Sequence, residues 1–188
     1  MDIVLFNCYK KPLEASAFVR WIRGVFFRKG GGAMSSLYDA PIRKAQEMRQ
    51  RYFSDDSSPM EAFAKIFEDY HIEIKYESRG ESLQSIGGKR IITLPRNTSP
   101  ERDVYTIAHE IGHIVLDHKL NNVGMIFRSG ELTPEERQAN VFAAELLMPK
   151  DKFRQVCKEC NNNVYEVAFR FGVSPSAAGV RMSILGIA

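Results

Sequence analysis

The sequence predicts an α+β fold: a small, mainly antiparallel sheet packed on one buried helix, followed by a helical C-terminal half. Three observations carry this reading. Residues 71–76 (HIEIKY) alternate polar and apolar side chains with a period of two, and residues 82–86 and 90–94 flank Gly87-Gly88 as a hairpin would. Residues 101–118 carry apolar side chains at helical spacing, with Val104, Ile107, Ala108, Ile111, Ile114 and Val115 available for packing. The last forty residues break into short helical stretches. With 188 residues, 44% of them hydrophobic, the chain can bury a core without staples, so a metal site would serve chemistry as much as folding.

The elements follow in order. Residues 1–34 hold an apolar, basic stretch (AFVRWIRGVFFRKGGGAM) in which Arg20 and Arg23 interrupt any secretory core, and we expect a poorly ordered leader without a catalytic role. Residues 30–36 (GGGAMSS) read as a linker into a domain over 35–188, whose C-terminal helical part spans 150–188. A polar-faced helix is expected from Tyr38 to about Phe53, with Ile42, Ala45, Met48 and Tyr52 inward. Ser58-Pro59 opens a second helix with Ala62, Phe63, Ile66 and Phe67 as its apolar stripe. Then come the three strands, of which 90–94 is expected at the sheet edge, where an extended peptide could add. The long helix 101–118 is followed by a loop over 121–129, with a short strand at 123–127. Thr133-Pro134-Glu135-Glu136 starts another helix, ending at Met148-Pro149.

The net charge of +3 is too weak to imply a nucleic-acid partner. Three cysteines, Cys8, Cys157 and Cys160, form no disulfide framework and fit a reducing compartment, so a cytoplasmic location is expected. No run of 18 apolar residues suggests a transmembrane helix.

The chemistry centres on His109-Glu110-Ile111-Gly112-His113. On a helix, positions four apart differ by about 40° in direction, so both imidazoles share one face. They can bind one tetrahedral zinc at about 2.0–2.1 Å. Glu110 lies one position on, where it can take a proton from water at the metal. A catalytic zinc needs a third protein ligand and an open position. The metzincin arrangement, with a third His after a Gly, is excluded by Leu116 and Lys119. His118 would sit half a turn off the ligand face of a continuous helix and is read as a residue favourable to the helix dipole. The remaining source is a carboxylate from the helix opening at Thr133. Glu136 and Asn140 are four apart on one face, so Glu136 could bind zinc while Asn140 supports a ligand histidine. Glu145 is the rival for third ligand.

Two segments, YTIAHEIGHIVLDH and ERQANVFAAELLMP, resemble the ImmA/IrrE family of gluzincin-type metallopeptidases. The family's first segment reads R-x-x-F-T-x-A-H-E-x-G-H-x-x-L-H, and Arg102, Thr106, Ala108, His109, Glu110, Gly112, His113, Leu116 and His118 match it. Tyr105 replaces the Phe, and Asp117 is an extra residue before the last His. The second reads E-x-x-A-N-x-F-A-A-x-L-L-M-P, matched from Glu136 to Pro149. The resemblance covers roughly residues 58–185. It implies a zincin-like metalloprotease domain with no small-molecule cofactor beyond zinc. It also implies a protein substrate, a helix-turn-helix repressor, and a stress response encoded on mobile elements.

Other signals are weaker. Cys157-Lys158-Glu159-Cys160 is a single CxxC, too few ligands for a closed zinc site. Residues 164–185 resemble a helix-turn-helix, but Arg181 is the one obvious basic contact in the second helix, so they read as packing and not as a DNA reader. His71 is read as a surface residue. The alternatives to a protease are a zinc-fold regulator that acts by binding a repressor, and a DNA-binding regulator.

Overall fold

The computed structural model describes residues 35–54, 58–78, 82–119 and 133–187. The expected leader, Cys8 and the strand at 123–127 lie outside them.

Helix α1 (Ser35–Tyr52) starts within the segment read as a linker, so the domain's first helix takes up Ser35 and Ser36. Its inward residues Ala45, Met48 and Tyr52 are buried. Helix α2 (Pro59–Tyr70) opens on a full capping box: Ser58 Oγ accepts from the Glu61 N–H, and Glu61 Oε2 accepts from the Ser58 N–H. It ends at His71, whose left-handed backbone (φ 53) caps the helix, so this surface histidine is a helix terminator before it is a strand residue.

Strands β1 (Ile72–Glu77), β2 (Ser82–Ile86) and β3 (Lys89–Pro95) form one sheet in the order β1-β3-β2. β2 and β3 are the antiparallel hairpin, turned at Gly87 (φ 58) and Gly88 (φ 83), the paired positive φ that this tight turn demands. β1 pairs with β3 in parallel, Ile72 opposite Arg90 and Ile74 opposite Ile92. Two expectations are corrected here. The sheet is mixed and not mainly antiparallel, and β3 is its centre and not an edge. β3 bonds β1 along one edge and β2 along the other, and Ile91, Ile92, Thr93 and Leu94 are buried in succession, the mark of a strand covered on both faces, whereas β1 and β2 each end in exposed residues. A peptide therefore cannot add along β3.

Helix α3 (Pro100–Val115) opens on Ser99 and helix α4 (Pro134–Leu147) on Thr133, each with Pro at the first turn. Helices α5 (Lys150–Glu159), α6 (Val164–Phe171) and α7 (Pro175–Leu185) complete the C-terminal part. One core cluster joins Phe63, Ile66, Ile92, Leu94, Ile107 and Phe142. Among the described residues, no helix is long and apolar enough to cross a membrane.

α3 and α4 approach closely at Gly112. A Cβ there would stand 3.0 Å from Phe142 Cδ1 and 3.3 Å from both Cα and O of Ala139. Glycine thus lets the backbone of α4 come against α3, bringing the residues on either side of Ala139, Glu136 and Asn140, to the histidines. Gly112→Val would drive its methyl groups into the Ala139 backbone. We expect a loss of about 1–3 kcal/mol in unfolding free energy together with weaker metal binding. Urea melts and a zinc titration measure the two. A Val variant with unchanged metal affinity would show that this contact does not set the helix spacing.

Candidate metal centre

Three residues from two helices converge. His109 and His113 are one turn apart on α3, with ring centroids at 4.8 Å, and their Nε2 atoms are 3.0 Å apart. Glu136 comes from the first turn of α4, where its N–H is held by Thr133 Oγ1. Its carboxylate oxygens lie 3.3 Å from His109 Nε2 and 3.4 Å from His113 Nε2. His113 is 1% exposed and Glu136 2%.

The donor set can be tested against a metal. Asn140 Oδ1 can only accept a hydrogen bond, so His109 Nδ1, 3.1 Å away, carries the hydrogen and its Nε2 has a lone pair. The same follows for His113 from its partner His118, as argued below. Neither Nε2 has a hydrogen to offer the other, and two lone pairs at 3.0 Å with a carboxylate beside them are reconciled by a cation. A tetrahedral zinc with bonds of about 2.0–2.1 Å separates its ligand atoms by about 3.3–3.4 Å, close to the edges of this triangle. The group fits, and His109, His113 and Glu136 could hold a metal ion. Burial pushes the His113 imidazole below the ordinary histidine value, opposed by the negative charge of the neighbouring Glu136 carboxylate, and so favours the neutral form that a ligand requires.

Asn140 fixes the tautomer and the ring plane of His109, and its own carbonyl is reached by Tyr105 Oη at 3.5 Å. Such outer partners are typically worth about 10–100-fold in metal affinity. Asn140→Ala should show a loss of that order in a competition titration with a chelator. An unchanged affinity would remove Asn140 from the site.

Glu110 is 2% exposed, on α3 beside the two histidines. Glu145, the rival third ligand, points elsewhere. One carboxylate oxygen pairs with Arg181 Nη2 and the other accepts from the Lys150 N–H. Arg181 is itself buried and donates from Nε to the Met148 carbonyl at 3.0 Å. The one basic residue of α7 considered for contact with DNA is thus spent inside the protein, tying α7 to the end of α4. Cys157 and Cys160 are buried free thiols.

His118 departs from expectation. The helix stops at Val115, Asp117 takes a left-handed backbone (φ 54), and His118 turns back onto His113 with Nδ1 3.0 Å from His113 Nδ1. It is a partner of His113 and not a dipole residue. Helical spacing missed it because that argument assumed an unbroken helix. The signal available was Asp117, a residue type that tolerates positive φ at a helix end.

One helical turn before His109, Tyr105 borders a cavity of about 280 Å³. Asn140, Val141, Met148, Val180 and Leu185 also line it, and the Glu145–Arg181 pair lies in its wall.

A comparison with curated proteins found no match. The family model for the IrrE N-terminal-like domain, Peptidase M78, matches residues 57–183. This span holds the three described strands, both helices of the candidate metal centre, α5, α6 and most of α7. With two histidines and a carboxylate gathered on those helices, the chain belongs to the Peptidase M78 family.

Proposed function

We propose that the protein is a zinc-dependent endopeptidase in which His109, His113 and Glu136 hold the metal and Glu110 is the general base. The observation that supports it most is the triangle of two Nε2 atoms and a carboxylate at 3.0–3.4 Å, built around the HEIGH motif of a peptidase family. Zinc bound there would polarise the scissile carbonyl and make water more acidic. The rest falls to the protein. Glu110 takes the proton of the attacking water and returns it to the leaving amine. Asn140 keeps the His109 lone pair aimed at the centre. Burial keeps His113 neutral. The cavity beside Tyr105 offers an apolar place for a substrate side chain close to the centre.

The substrate we propose is a helix-turn-helix repressor or a similar regulator, cut in the cytoplasm. What supports this is the resemblance of residues 102–118 and 136–149 to the ImmA/IrrE segments. The test is to co-express the chain with the repressor encoded beside it and to look for clipping. A repressor that stays intact, with zinc present and the partner soluble, would remove this substrate.

A further inference from the structure

We infer that His118 and Gln138 are positioning residues for the metal centre, forming a relay that starts at a backbone carbonyl in α1 and fixes the tautomer of His113. The inference rests on the reading of His113 as a metal ligand.

The relay begins with Pro41, inside α1. Proline has no N–H, so the carbonyl four residues earlier, that of Leu37, lacks its helical donor. Gln138 Nε2 donates to that carbonyl at 3.2 Å. A carbonyl can only accept, so the amide has one orientation, with Oε1 on the other side. Oε1 lies 2.9 Å from His118 Nε2 and must accept there, which places the hydrogen of His118 on Nε2. In a neutral His118, Nδ1 is then an acceptor. His113 Nδ1, 3.0 Å away, must be the donor. A neutral His113 with its hydrogen on Nδ1 presents the Nε2 lone pair to His109 and Glu136, as a ligand must. Each bond dictates the next, and the Leu37 carbonyl sets the direction.

The same geometry explains Asp117, the residue that the ImmA/IrrE segment lacks. The His118 N–H bonds the His113 carbonyl at 3.0 Å and the Asp117 N–H bonds the Ile114 carbonyl at 3.2 Å, the two bonds of a Schellman motif with Asp117 in the left-handed position. Backbone and side chain of His118 are both tied to His113. The rings meet edge-on with centroids 5.0 Å apart. Gln138 sits on α4, two residues past Glu136, so the relay also couples the helix that carries the third ligand to the start of α1.

The test uses the full chain and zinc. Long-range ¹H–¹⁵N spectra of the metal-free protein assign the tautomers of its four histidines. His113 is expected with hydrogen on Nδ1 and His118 with hydrogen on Nε2. Gln138→Leu removes both amide bonds. It should lose the single His118 tautomer and weaken zinc binding about 10–100-fold, with the thermal melt little changed. Gln138→Glu keeps an acceptor for His118 and should recover most of the affinity, which a merely structural role for the side chain would not predict. His113 found with hydrogen on Nε2, or Gln138→Leu with unaltered tautomers and zinc affinity, overturns the relay. Absence of zinc binding by the unaltered protein would instead overturn the site, while the tautomers still decide the relay.

Discussion

Glu110→Gln is expected to hold zinc like the unaltered protein while peptide cleavage falls by at least ~10²–10⁴-fold, the usual worth of a general base. Glu110 sits one residue after His109 on α3, about 100° around the helix from it. It therefore borders the centre without sharing the face of the two imidazoles. Gln keeps the size and can still hydrogen-bond, so α3 and its packing persist. What it cannot do is accept the proton of the attacking water. Zinc content by metal analysis and the rate of repressor clipping measure the two halves of the expectation. Cleavage at the original rate by the Gln form would mean that another group takes the proton. A repressor left uncut by both forms, with its promoter still released, would mean that the protein acts by binding.

The second large effect separates two acids of one helix. Glu136→Ala should cost zinc affinity beyond the ~100-fold of an outer partner and leave the fold nearly intact, because the residue lies in the first turn of α4 and Thr133 still caps it. Glu145→Ala should do the reverse. It leaves Arg181, 6% exposed, as a buried charge without its carboxylate. Breaking such a pair from one side costs about 3–5 kcal/mol, or a fall in Tm of about 6–20 °C for a domain of this size. Zinc should still bind whatever fraction remains folded. Calorimetry and a chelator competition at a temperature well below either melt distinguish them. Loss of zinc in the Glu145 variant with an unchanged melt would exchange the roles of the two acids.

The starts of α2 and α4 were legible because their signals are local. Ser58 and Thr133 each precede a proline and accept a hydrogen bond from the first turn that follows, and Ser99, which was read as part of a loop, does the same for α3. The hairpin was legible for the same reason, through Gly87-Gly88. His109, Glu110 and His113 could be named together because spacing along one helix is a property of the chain alone.

The tertiary structure decided what depends on partners distant in sequence. The order β1-β3-β2 could not be read from strands of similar length, since β1 reaches β3 in parallel from a segment that the hairpin signal at Gly87-Gly88 does not include. Glu136 and Glu145 look alike as acids of α4, and their fates diverge only because one meets two histidines of α3 and the other meets Arg181, thirty-six residues on. His118 escaped because one left-handed residue, Asp117, follows the end of the helix and turns His118 back onto His113. The sequence by itself determined that His109 and His113 share one face of a helix with Glu110 beside them. Packing determined which carboxylate faces them and which way each imidazole holds its hydrogen, because those are set by contacts across helices, where Gly112 lets α4 approach and Leu37 offers the one carbonyl that Pro41 leaves open.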